Sequence, residues 1–274
     1  MPKNKKILLI SYHFPPSIEV GGLRAANLAR HLSKFGWSPQ VLTLQDEYLE
    51  RTDYEKLEYA GAVKIWKAGR MPTISPVYMK TKMLFKRMFG ASEKPSNNPD
   101  RHSSQKNGGE TVLGKLRRYA LSFWSLPDEQ RSWVLPAVIR AVTVVRREKI
   151  ECILTSSPPY SVHIVGWLTK LLTGVRWVAD FRDPWMTGGR KALYATCDAS
   201  LRIERELERR VIKKADLVVA NTDRLCEEFR KAYAPHIPTS HFACVTNGFD
   251  EEFFSEFELV EKESTFTIIY TGTL

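Results

Sequence analysis

Three observations on the 274-residue sequence predict an α/β fold built on a doubly wound, Rossmann-like parallel sheet. Near the N-terminus a short apolar run (Ile7 to Ile10) is followed by a helical pattern and then a second apolar run (Pro39 to Leu44), the order of a βαβ unit. The same alternation resumes at Glu151 and continues to Val245. Finally, 43% hydrophobic and 26% charged residues are enough to bury a core, and no apolar stretch approaches the ~20 residues that span a bilayer.

Taken in order, Ile7–Ser11 is the first strand, four consecutive apolar residues bounded by turn signals. An aromatic, His and Pro loop follows, and Gly21-Gly22 then opens a helix from Leu23 to Phe35. Leu23, Ala26, Leu28, Ala29 and Leu32 fall on or near one face, and Gly36 closes the helix at the C′ position. Pro39–Leu44 and Val63–Trp66 are the second and third strands. Pro76 to Phe89 interleaves bulky apolar residues with cations. Ala91 to Glu110, rich in Ser, Asn, Pro, Gly and charge, has the composition of a mobile insertion. Thr111–Phe123 and Trp133–Glu148 read as helices separated by Leu126-Pro127-Asp128. Strands at Cys152–Thr155, Arg176–Asp180, Asp216–Ala220 and Phe242–Val245 then alternate with helices at Tyr160–Leu172, Ala199–Lys214 and Asp223–Tyr233. Residues 1–255 are therefore expected to form one domain, with a mobile insertion at about 91–110. Residues 256–274 are expected to be a linker and the opening strand (Phe266–Tyr270) of a C-terminal domain that the chain lacks.

The formal charge of +10 is unevenly placed: between Pro76 and Lys149, 15 Lys and Arg stand against 6 Asp and Glu. A local surplus of this kind implies an anionic surface or ligand. Lys80, Lys82, Phe85, Lys86 and Arg87 carry the mixture of cations and large apolar groups that suits an anionic membrane face, although the same spacing fits an amphipathic core helix. No nucleic-acid motif accompanies it, and nucleic acid is not expected as a partner. The four cysteines, at 152, 197, 226 and 244, match no zinc or CxxC spacing. They are expected to be free thiols in the cytoplasm, and no metal site is expected.

In an open parallel sheet, ligands bind outside the carboxyl ends of the strands. Five polar groups fall there: His13, Ser156-Ser157, Asp180 to Asp183, Asn221-Thr222 and Thr246-Asn247-Gly248. Gly21-Gly22 before a helix offers uncapped amides beside a loop without Cβ atoms, which suits a diphosphate; a plain turn uses the same pair. The pair is not GxGxxG, so a dinucleotide fingerprint is absent. Asp183 can orient or deprotonate a hydroxyl and Arg182 can hold an anion, while a surface salt bridge accounts for the same charges.

Taken together, these segments resemble the N-terminal half of the GT-B glycosyltransferases of family 4, formerly group 1. The matching pieces are Tyr12-His13-Phe14-Pro15-Pro16 with Gly21-Gly22, Leu126-Pro127-Asp128 with Trp133, Thr155 to Tyr160, Asp180-Phe181-Arg182-Asp183-Pro184-Trp185, Ala215-Asp216, Thr246 to Asp250, and Tyr270-Thr271-Gly272. The nearest resemblance is to cytosolic transferases that build bacterial surface polysaccharides on lipid-linked carriers. It implies two Rossmann-like domains facing a cleft, with the acceptor on the N-terminal side and the nucleotide sugar on the C-terminal side. It also implies retention of anomeric configuration and no cofactor beyond the nucleotide-sugar substrate. By the same resemblance Gly21 and Gly22 approach the donor diphosphate. His13, Ser156 and Asp180 lie on the acceptor side, and Asn247 and Gly248 between domains. Arg182 stands where many relatives carry a histidine, which moves the expected catalytic role to Asp183 with Arg182 beside it. The implied partners are a nucleotide sugar, a lipid-linked saccharide, the anionic inner face of the cell membrane and a separate donor-binding domain or subunit. An isolated half is expected to show little or no transfer. The alternative is a non-catalytic acceptor-binding half-domain at the membrane.

Overall fold

Four consecutive apolar residues need burial on both faces of a sheet, and strand β1 (Lys5–Ile10) lies at its interior. Ile7 and Leu9 pack into one hydrophobic cluster, Leu8 and Ile10 into another, as the two-residue period requires. The computed structural model describes residues 5–72, 126–187 and 198–248. Within these, β2 (Trp37–Leu44), β3 (Lys64–Ala68), β4 (Cys152–Ser157), β5 (Arg176–Phe181), β6 (Leu217–Ala220) and β7 (Phe242–Cys244) join β1 in a seven-stranded sheet of order β3-β2-β1-β4-β5-β6-β7. Every pairing is parallel.

Helix α1 (Leu23–Leu32) buries Ala25, Ala26 and Ala29 against the Ile7–Leu9 side, where their small side chains let the helix sit close to the strands. A short helix, α2 (Glu55–Tyr59), was not foreseen from the sequence. Helices α3 (Val134–Glu148), α4 (Ser161–Thr173), α5 (Asp198–Lys214) and α6 (Asp223–Tyr233) contribute to the larger cluster, with Trp133, Trp177, Phe181 and Phe229 fully buried in it. Gly36 and Gly174 end their helices at φ 78° and 72°, conformations that side chains with a Cβ rarely adopt.

Two predicted boundaries move in a way that matters. Strand β4 runs on through Ser156 and Ser157, and β5 one residue past the predicted end to Phe181. Ser156 pairs in the ladder with Asp180, the last residue of the predicted strand, so Ser156 is part of the sheet and not of the loop after it. Leu23 was expected on the core face of its helix but is 37% exposed, because the first turn of α1 borders the crevice described below. The helix also stops at Leu32, and Ser33–Phe35 forms a 3₁₀ turn. The basic stretch at 76–89, the insertion at about 91–110, the helix at 111–123 and the stretch 256–274 lie outside the described residues. Among the described residues no helix is long and apolar enough to cross a membrane.

Candidate functional site

Because all strands are parallel, the loops after β1, β4, β5, β6 and β7 gather at one edge, and connection direction reverses at β1, which has β2 on one side and β4 on the other. A cleft of about 930 Å³ opens there. His13 enters its wall from the β1 loop, Gly21, Arg24 and Asn27 from the start of α1, Arg182 and Asp183 from the β5 loop, and Asn247 and Gly248 from the segment after β7. The glycine turn and the acidic loop thus face the same crevice.

The two glycines differ in what requires them. A Cβ on Gly22 would stand 3.1 Å from Phe14 Cα and 3.3 Å from the His13 carbonyl carbon, so the residue lets α1 approach the β1 loop. Gly22 is buried and does not line the cleft. Gly21 does line it, and a Cβ there would meet the Arg182 guanidinium at 2.9 Å. The amides are not all free, contrary to the sequence reading: Val20–Gly22 is a 3₁₀ turn in which Gly22 N–H donates to Glu19 O at 2.9 Å and Leu23 N–H to Val20 O. No side chain caps the start of α1.

Arg182 was expected to hold an anion, but its three guanidinium nitrogens are turned on the protein itself. Nε donates to Ser157 O at 2.9 Å, Nη1 donates to Gly21 O and Nη2 to Pro158 O. It therefore ties the β4 loop to the glycine turn and shapes the wall between them. Asp183 reaches the cleft beside it.

Asp180 and Ser156 lie beneath the cleft. Both are 1% exposed, and Ser156 Oγ donates to Asp180 Oδ2 at 2.8 Å. The Asp180 carboxylate also accepts two hydrogen bonds from Arg24, Nε to Oδ2 at 2.9 Å and Nη2 to Oδ1 at 2.8 Å, the bidentate geometry of a strong pair. His13 stays at the cleft wall. Burial holds its imidazole below the ordinary histidine range, Glu19 opposes the shift and Arg182 adds to it, so the neutral, proton-accepting form is favoured near pH 7.

The loop carrying Arg182 and Asp183 is fastened from below by Trp185 and Tyr160, which lie in the matching segments, and by Glu204, Glu208 and Tyr233, which the sequence does not single out. Trp185 Nε1 donates to Glu204 Oε2 at 2.7 Å. Glu208 accepts from the amides of Met186 and Thr187, from Thr187 Oγ1 and from Tyr233 Oη. Tyr160 stacks on Trp185 at 4.9 Å and donates to Pro184 O at 2.7 Å. For the two glutamates the sequence-level signal is their spacing of four residues on α5 (Glu204, Glu208), which puts both on one face. On the α1 side Tyr59 Oη donates to Asn27 Oδ1 at 2.6 Å, which leaves the amide N–H groups of Asn27 as its remaining donors in the cleft. Among the described residues no group of three or more His, Cys, Asp or Glu is placed to hold a metal ion.

Residues 21–244 match the model of the glycosyl transferase 4-like domain, and the chain belongs to that family. Among solved structures it is similar to Alr3699/HepE of Anabaena in complex with UDP-glucose, with 14% identity, 91% of this chain and 45% of that one covered, and a TM-score of 0.48. It is also similar to the sucrose-phosphate synthase of Thermosynechococcus elongatus, with 13% identity, coverage of 90% and 49%, and a TM-score of 0.47. For MurG of Acinetobacter baumannii the figures are 11% identity, coverage of 90% and 46%, and a TM-score of 0.42. The chain spans about half the length of these structures. No curated protein matches it significantly in sequence.

Proposed function

We propose that this chain is the acceptor-side half of a glycosyltransferase that moves a sugar from a nucleotide-sugar donor to a saccharide acceptor. The observation that carries the reading is the cleft at the sheet's carboxyl edge, in a chain whose residues 21–244 match a glycosyl transferase 4-like domain. Among the groups lining that cleft, the Asp183 carboxylate and the His13 imidazole can each accept a hydrogen bond from an acceptor hydroxyl. Asn27 can donate to a sugar oxygen. All five N–H donors of Arg24 and three of the five on Arg182 are spent on the protein, so the donor phosphates are left to the remaining Arg182 N–H groups, to the backbone around Gly21 and to a second domain that completes the cleft.

In the retaining reaction we propose, the acceptor hydroxyl attacks the anomeric carbon on the face that the nucleotide diphosphate leaves. The departing phosphate oxygen takes the proton, and Asp183 orients the hydroxyl and balances charge. No cofactor beyond the substrate is needed for this step. We further propose a lipid-linked acceptor in surface polysaccharide synthesis, met at the cytoplasmic face of the membrane.

The test is sugar transfer from a panel of nucleotide sugars, with the chain alone and with a donor-binding domain supplied in trans. The expected result is little or no transfer alone, and transfer with the second domain that Asp183→Asn lowers by at least tenfold. Robust turnover by the isolated chain, or an Asp183→Asn protein as active as the parent, would overturn the reading.

A further inference from the structure

We infer that Arg24 and Arg182 form a reciprocal clamp that fixes α1 against the β5 loop across the cleft, and that Asp180 is thereby a positioning residue for Asp183. Strands β1 and β5 are separated by β4, so the chain leaving one stands roughly 10 Å from the chain leaving the other. Side chains bridge that gap in both directions. Arg24, in the first turn of α1, reaches β5: Nε donates to Asp180 Oδ2 at 2.9 Å and Nη2 to Oδ1 at 2.8 Å. Arg182, one residue past β5, reaches back: Nη1 donates to Gly21 O, two residues before α1.

Each arm also takes in β4 and its loop. Ser156 Oγ donates to the Asp180 carboxylate at 2.8 Å. Arg182 Nε donates to Ser157 O at 2.9 Å and Nη2 to Pro158 O, while its backbone N–H donates to Ser157 O at 3.1 Å. Three consecutive residues, 156 to 158, are therefore bound, one by the first arm and two by the second.

The first arm is a buried, bidentate pair, its side chains 9% and 1% exposed. Asp180 does not line the cleft, whereas Asp183, three residues on, does. Asp180 thus reaches a substrate only through what it holds in place. Arg24 spends its other three donors on Val245 O, Thr246 O and Asn247 Oδ1, so it too holds protein. The charges act as one unit: burial lowers the Arg182 pKa, Asp180 and Asp183 oppose the shift and Arg24 adds to it. Weakening one arm should loosen the wall opposite the residue changed, a crossed response that two unrelated local contacts would not give. The role of Asp183 rests on the transfer reading; the clamp does not.

Amide hydrogen exchange on the chain without any sugar tests the clamp. Arg24→Lys keeps the charge but not the bidentate fork, and should speed exchange of the Arg182 amide on the far wall by about tenfold. Arg182→Lys should do the same to the Gly22 and Leu23 amides, again about tenfold, with Leu154 and Val178 unchanged in both variants. Asp180→Asn keeps the shape of the anchor and should repeat the Arg24→Lys pattern, which decides the matter if Arg24→Lys folds poorly. Changes confined to the substituted residue's own element, or spread evenly over the sheet, overturn the clamp. In the transfer assay with the donor-binding domain, Asp180→Asn should lower kcat about tenfold and leave KM for the nucleotide sugar within about twofold. An unchanged kcat, or a raised KM alone, overturns the positioning role. A parent protein without transfer in that assay counts against the proposed function, and the exchange pattern still decides the clamp.

Discussion

His163 is fully buried on α4, and its chemistry follows from what surrounds it. Thr155 Oγ1 lies 2.8 Å from its Nδ1 and accepts from Trp177 Nε1 at 2.8 Å, while Nε2 has no partner among the described residues. Burial above all, with the Arg182 cation adding to it, depresses its pKa to about 3. The native state therefore holds His163 neutral where the unfolded chain, titrating near 6.5, takes up a proton. Stability from this group is fully present above about pH 6.5 and is lost as pH falls toward 3, with a slope of up to about 1.4 kcal/mol per pH unit. The gap in unfolding free energy between the parent and His163→Gln should shrink between about pH 7 and pH 4.5. A gap independent of pH would show that the imidazole is not kept neutral. Gly166, also on α4, shows a second thing a residue can do unseen: a Cβ there would fall 2.5 Å from Trp177 Nε1. In the sequence it is one glycine in a helical pattern; only the packing of α4 on β4 and β5 explains it.

At the scale of elements, α5 acts as a foundation for the cleft loop. Its buried Glu208 gathers four donors from two different segments, the loop after β5 and Tyr233 on α6. Truncation would strand several of them away from water, and unsatisfied buried groups cost about 1–3 kcal/mol each. Glu208→Ala should therefore lower the unfolding free energy by about 2–4 kcal/mol, allowing for partial relaxation. Because Tyr233 shares the same carboxylate, Glu208→Ala and Tyr233→Phe should be less than additive in chemical denaturation. Additive losses would mean that the two residues act separately. The strands and long helices themselves were legible before the structure, for a simple reason. Their apolar periods reflect burial that the elements impose locally, and α6 begins and ends at the predicted residues, Asp223 and Tyr233. Helix α2, five residues long, has no period to read.

Across the whole molecule, the basic surplus between 76 and 149 is the property that the described residues absorb least. If it serves an anionic membrane, the chain should co-sediment with anionic vesicles at low salt and be released as ionic strength rises, since screening shortens such attraction to about 10 Å at 0.1 M. Failure to sediment at low salt would remove the membrane from the proposed function.

Sheet direction, strand number and the edge where polar loops converge were determined by sequence alone, because alternating strands and helices joined by short loops leave one economical topology. That topology brought His13, Gly21, Asp183 and Asn247 to one crevice, as their positions after strands implied. What each charge does there was decided only in three dimensions. Arg24 and Asp180 are 156 residues apart, and Arg182 reaches Gly21 across 161. A charged side chain in a loop reads the same whether it meets solvent, a ligand or a distant carbonyl. Which of these it meets depends on the geometry of elements that lie far apart in the chain, and that geometry exists only once the sheet has formed.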